Sequence, residues 1–182
     1  ITAAGPFLGS VGDRPDSEPD GQPDPVAMGD DLAGATPDDE NGVVIPPLQV
    51  GVPQAISIIV GQPGWVDGWI DWNGDGIWQE PEERVIAAPL PAGTFPLVVT
   101  APGPYTGQTF ARFRIHTGDV PLLPTGIAND GEVEDYAVPV TLIGDVGVAM
   151  TATPNPVAVG ALLTFAVTVN NAGPSPAESV VL

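Results

Sequence analysis

Between residues 43 and 143 the chain alternates short apolar runs with Gly and Pro turns: "VVIPPLQV", "AISIIV", "GWVDGWIDW", "RVIAAPL", "FPLVVT", "FARFRIH" and "VEDYAVPVTLI". Val, Ile, Phe, Trp and Thr fill these runs, the residue types that suit a pleated, half-buried surface. The chain's 23 prolines leave hardly any window for a long helix, because each removes a backbone donor and fixes φ. The pattern predicts an all-β fold, an antiparallel β-sandwich of about seven or eight strands.

Period-2 alternation assigns faces. In "TFARFRIH", Ala111, Phe113 and Ile115 share one side, and Arg112, Arg114 and His116 the other. In "GEVEDYAVPV", Glu132, Glu134 and Tyr136 lie opposite Val133 and Asp135. If the two runs are sheet neighbours, an arginine can meet a glutamate across the strands, and Glu134 and Asp135 either pair with Arg112 or Arg114 or hydrogen-bond a loop, so Arg112, Arg114, Glu132, Glu134 and Asp135 are candidates for structural ion pairs. Trp65 and Trp69 share a face with Asp67 and Asp71, and Trp72 falls on the opposite, core-facing side with Ile70.

The flanks read differently. Residues 1–43 hold ten carboxylates against Arg14, with scattered Pro and Gly and isolated apolar residues. They read as an extended acidic arm rather than a strand array. Residues 144–182 form a second unit with three strand-like runs and turns at "PNP" and "NNAGPSP". Three strands cannot close an immunoglobulin-like sandwich, which needs about seven. Such an incomplete set belongs to something longer or finds its missing partners in another molecule.

Charge narrows the choice of partners. A formal charge of −19, with four arginines and no lysine, repels phosphate backbones and anionic lipid headgroups. Nucleic acid is therefore a poor partner, and no apolar run approaches the roughly 20 residues of a membrane span. Crowded carboxylates favour divalent cations, calcium first. The absence of cysteine excludes disulfides, thiolate zinc sites and thiol nucleophiles, and is compatible with a secreted protein.

One stretch points to calcium more sharply. "DWNGDGIWQEPE" places Asp71, Asn73 and Asp75 at alternate positions of a turn, Gly76 after them, and Glu82 where a twelve-residue calcium loop puts its closing carboxylate. Ile77 would add its carbonyl, and Glu83 could close the sphere in place of Glu82. Strand-like flanks set this turn between strands rather than helices. An ordinary solvated Asn/Gly turn is the competing reading. A second acidic cluster, Asp30, Asp31, Asp38, Asp39 and Glu40 with Asn41, is either a solvated loop or a second calcium site that pins the acidic arm.

Catalysis has little to work with. His116 is the only histidine, and a lone histidine at a strand end is far more often structural than a base. Paired carboxylates leave a glycosidase as a remote option. Exposed tryptophans can stack on sugar rings, so Trp65 and Trp69 make a carbohydrate-binding module the main alternative to a structural role.

The string "GEVEDY" at 131–136, preceded by "FARFRI" and "WIDWNGDGIW" and by the acidic lead-in "LGSVGDRPDSEPDGQP", "AMGDD" and "DDENGV", resembles the GEVED domain of bacterial secreted proteins over roughly residues 8–142. Asn41 stands where that pattern usually has Asp, and Glu82 where it usually has Gly before the equivalent of Glu83. The tail, with "DVGV", "GALLTFAVTVNNAGPSPAE" and "VVL", resembles the first part of a bacterial immunoglobulin-like surface repeat. The resemblance implies an extracellular β-sandwich within large surface proteins, with no established catalytic role. The expectation is a non-catalytic, calcium-stabilised structural or adhesive module on the bacterial surface, meeting glycans or other surface proteins, or joining copies of itself into an oligomer or fibre by strand exchange.

Overall fold

The computed structural model describes residues 5–10 and 41–181, and these contain strands but no helix. The chain divides into two compact units, 1–141 and 142–182. Among the described residues the first holds eight strands: β1 (Val43–Val44), β2 (Leu48–Gln49), β3 (Pro53–Val60), β4 (Gly64–Ile70), β5 (Arg84–Leu90), β6 (Gly93–Thr100), β7 (Gly107–His116) and β8 (Glu132–Thr141).

They form two sheets, a three-stranded one in the order β1-β3-β6 and a five-stranded one in the order β2-β8-β7-β4-β5. All pairs are antiparallel except β2 with β8. Between the sheets lies a single apolar core, with Ile56, Ile58 and Val60 from β3, Val66 and Ile70 from β4, and Phe113 and Ile115 from β7. The fold is a β-sandwich. Alternation along β7 sends Ala111, Phe113 and Ile115 inward, as the sequence pattern predicts. Its outward residues Arg112, Arg114 and His116 are nonetheless buried too, so a second layer must cover the outer face of that sheet.

Sequence pattern misses one part of the core. Phe7 and Leu8 are 3 % and 1 % exposed, although they sit in the acidic, Pro/Gly-rich amino-terminal region. Leu8 bridges Val60 antiparallel, the Gly9 N–H donates to the Ile59 carbonyl at 2.8 Å, and the Gly61 N–H donates to the Phe7 carbonyl at 3.0 Å. Residues 7–9 thus continue the edge of β3 where β1 leaves it, since Val43 and Val44 pair with Ile58 and Ser57. Two stretches separated in sequence by residues 11–40 therefore share one strand edge.

The second unit is a hairpin of β9 (Val146–Thr153) and β10 (Thr164–Asn171), two strands among the described residues where the sequence suggested three. Directly opposed pairs Val148 with Val169, Met150 with Val167 and Ala152 with Phe165 share a face, and the large members of these pairs are exposed.

Candidate functional site

Among the described residues the buried charge lies in three places, on the outer face of the five-stranded sheet, at the rim where residues 5–10 enter the core, and in the turn at 71–83. On the outer face, the register places Arg112 opposite Asp135 and Phe113 opposite Glu134. Arg112 consequently pairs with Asp135 through both Nε and Nη2, a bidentate geometry that suits a guanidinium and a carboxylate. Glu132 and Glu134 project from the opposite face of β8. Asp135, not a glutamate, is the carboxylate that shares the Arg112 face.

Above this face runs the segment 117–130, held mainly through its backbone. Arg114 donates to the carbonyls of Leu123 and Gly126, Arg112 to that of Pro124 at 3.1 Å, and Arg84 to that of Leu122 at 2.8 Å. In return the Leu122 N–H donates to Asp67 at 2.9 Å, and Asp130 takes both the N–H and the hydroxyl of Thr117. Asp67, with no exposed surface, pairs with Arg84 at 2.6 Å. Burial lowers the Arg114 pKa, and the adjacent Arg112 charge adds to that effect. His116 belongs to the same layer. Its Nδ1 accepts the Gly118 N–H at 2.9 Å, so the neutral ring carries its hydrogen on Nε2, which faces Asp67 at 3.5 Å.

Trp69 is fully buried in this layer. Its Nε1 donates to Glu80, and the Arg84 guanidinium lies 4.9 Å from its ring centroid. It therefore offers no face to a sugar, which corrects the stacking role expected for it. Trp65 is half-buried and lines an open groove of about 430 Å³ with Pro63, Pro89, Leu90 and Pro91.

At the rim, the Leu8 N–H donates to Glu132 at 2.6 Å and the Gly42 N–H to Glu134 at 3.0 Å. The Tyr136 hydroxyl donates to Glu134 and accepts the Val43 N–H, each at 2.8 Å. Each carboxylate thus takes up a backbone donor of the amino-terminal stretch. Gly131 has φ of 96°, and a Cβ there would collide with the Ile115 carbonyl, while a Cβ on Gly5 would collide with the Gly131 nitrogen. Only glycines allow that approach.

The turn at 71–83 is closed by its own carboxylates. Asp71, 2 % exposed, accepts the N–H groups of Gly74 at 2.7 Å, Asp75 at 3.3 Å and Gly76 at 2.9 Å. Asn73 accepts from the Asp75 N–H, and Asp75 from the Ile77 N–H, each at 2.9 Å. Gly76 has φ of 79°, the left-handed conformation that a sharp turn of this type needs. Glu83 is buried and accepts the Trp72 and Gln79 N–H groups at 3.0 and 2.8 Å. Burial raises its pKa. Glu82 is exposed, so of the two it is Glu83 that faces the base of the turn. Among the described residues no three His, Cys, Asp or Glu side chains converge as a metal cage. The cluster Asp30, Asp31, Asp38, Asp39 and Glu40 lies outside the described residues.

These contacts give four residues of the 131–135 string a role. Gly131 admits Gly5, Glu132 holds Leu8, Glu134 holds Gly42 and Asp135 holds Arg112. Residues 65–139 match the GEVED domain. The match runs from β4 to near the end of β8, and so takes in the outer charged layer, the acidic turn and the rim glutamates. The segments that those glutamates hold, residues 5–10 and 41–44, lie before the GEVED match. No curated protein matches the chain.

Proposed function

We propose that the chain is a non-catalytic structural module of an extracellular bacterial surface protein, in which the GEVED carboxylates and arginines act as internal fasteners. The observation that carries this reading is where the buried charges go. Glu132 and Glu134 hold strand-edge amides, Asp71 and Glu83 hold turn amides, and Arg84, Arg112 and Arg114 hold loop carbonyls. A charge committed to a backbone group stabilises one conformation and is poorly placed to exchange protons with a substrate. The reading is tested by substituting Glu132 and Arg112 and following unfolding and protease resistance. Large losses of stability support it, and wild-type stability in both variants would remove it.

Calcium is part of the proposal, at the 71–83 turn. The fit rests on the donor set and the backbone. Asp71, Asn73 and Asp75 present oxygens from one turn, Gly76 takes the required positive φ, and each carboxylate oxygen keeps acceptor capacity beyond the amide it binds. Asp71, Asn73, Asp75, the Ile77 carbonyl and Glu83 would hold the ion, which would neutralise the crowding of charge there. On the surface, the half-buried Trp65 is the residue through which contact with glycans would be made.

A further inference from the structure

We propose that His116 is a proton-operated catch for the start of the 117–130 segment: on taking up one proton, its ring lets go of the Gly118 amide and pairs with Asp67. The catch adds to the fastening role above and needs neither calcium nor a glycan.

The two nitrogens of the ring stand in different surroundings. Nδ1 accepts the Gly118 N–H at 2.9 Å, and Nε2 is buried with no hydrogen-bond partner among the described residues. Nδ1 can accept only in the neutral ring, because both nitrogens of a protonated imidazole are donors. A proton on Nδ1 would set two N–H groups against each other, and the loop must then withdraw. The approach is already tight, since a Cβ on Gly118 would come within 2.6 Å of Nδ1. The same proton makes Nε2 one half of an ion pair, because Asp67 Oδ2 stands 3.5 Å away on a side chain with no exposed surface. The cationic ring thus gains a carboxylate and sheds a backbone donor.

The charges around the ring decide how far the change spreads. On β4, Asp67 also holds Arg84 of β5 and the Leu122 N–H. A carboxylate oxygen accepts more than one donor, so the Leu122 bond survives the closer approach of the ring. On β7, Arg114 shares the face of His116 and is held by the Leu123 and Gly126 carbonyls. In the segment, Asp130 keeps Thr117, and Asp119 is exposed beside Gly118. Glu132 of β8, beside Ile115 in the register, projects from the opposite face. The segment therefore stays anchored at Thr117 and from Leu122 onward, and only residues 118–121, all exposed, are released. Thr117 and Gly118 form one wall of the groove that holds Trp65, so the catch reshapes that groove with pH.

His116 is the only histidine in the chain, so its titration is followed in the full chain without ambiguity. NMR records the ring nitrogen shifts and the backbone amides from about pH 8 to about pH 5, the range in which histidine changes charge. We expect the Gly118 N–H to lose its hydrogen-bonded shift with the same midpoint as the ring, and its protection against exchange to fall about tenfold at the acid end. The Thr117 N–H, held by Asp130, should keep its protection over that range. In His116→Asn, whose Oδ1 sits near the place of Nδ1 and takes up no proton there, Gly118 should stay protected throughout. A ring that titrates while Gly118 is unchanged overturns the catch, and so does a ring that stays neutral down to about pH 5. An equal loss in His116→Asn, or a loss shared by Thr117, places the change elsewhere and overturns it as well. Should His116→Asn fail to fold, the wild-type titration decides by itself.

Discussion

Glu132 accepts the backbone N–H of Leu8 at 2.6 Å, joining two positions 124 residues apart. The carboxylate leaves β8 on the core side of its sheet, where a charge is costly unless it is hydrogen-bonded, and the amide it meets belongs to a segment that the sequence pattern leaves outside the sandwich. The bond ties the start of the described chain to its last core strand.

Replacing Glu132 with Ala should therefore destabilise the protein by about 1–3 kcal/mol, the cost of leaving a buried donor without its partner. Urea unfolding measures it. Leu8→Ala should cost about 2–5 kcal/mol through the cavity it leaves. A Leu8→Ala loss below about half a kcal/mol would show that the segment is not packed as described.

On the outer face, Arg112→Met should cost about 3–5 kcal/mol, because Asp135 is left charged and buried and the Pro124 carbonyl loses its donor. Adding Asp135→Leu should recover part of that loss, since the stranded charge is gone. A double-mutant cycle measures the recovery, and simple additivity would mean that the two side chains do not interact.

For the acidic turn, thermal unfolding in chelator and then in millimolar calcium should differ by about ten degrees, corresponding to a few kcal/mol of linked binding. Asp75→Ala should abolish the difference. Equal midpoints in both conditions for the wild-type protein would mean that the turn closes on its own amides alone.

Acid should loosen the 117–130 segment. The Thr117 hydroxyl, and then its N–H, hold Asp130 below its ordinary value of 3.8, and the Arg84 hydrogen bond holds Glu80 below 4.5. A carboxylate whose folded pKa is lowered stabilises the fold above its unfolded value, and that stability is lost as pH falls through the folded value. Glu83, raised first by burial, runs the other way. Its contribution is full below 4.5 and shrinks as pH rises through the folded value. Asp130→Asn should lower the midpoint at about pH 7, with the gap to wild type closing below about pH 4. A gap constant across that range would show that Asp130 gains nothing from Thr117.

Much of the sandwich was legible because its signal is periodic. Alternation in "FARFRI" and "GWVDGWI" separates Phe113 and Val66 from Arg112 and Asp67, and the Pro and Gly turns mark the strand ends. The rim was not legible, because Phe7 and Leu8 are two adjacent apolar residues among Gly and Pro, with no repeat to reveal an edge segment. The roles of Glu132 and Glu134 escaped for a related reason. Their partners are backbone amides, which every residue carries, so no complementary side chain announces the contact. In the acidic turn the spacing of Asp71, Asn73, Asp75 and Gly76 foretold a sharp turn. The choice of Glu83 over Glu82 depends on burial that spacing does not encode. Trp69 was ambiguous because a strand face can be outward and still covered, here by a segment fastened through arginines.

The place of Leu8 also sets an order of events during synthesis. Leu8 emerges from the ribosome long before Glu132, and at about 5–20 residues per second the interval is roughly 6 to 25 seconds. The β3 edge follows Leu8 early in that interval, but the acceptor Glu132 comes only at its end, and a contact this distant in sequence closes late. The Leu8 amide, among the first of the described chain to be made, is thus among the last to find its acceptor.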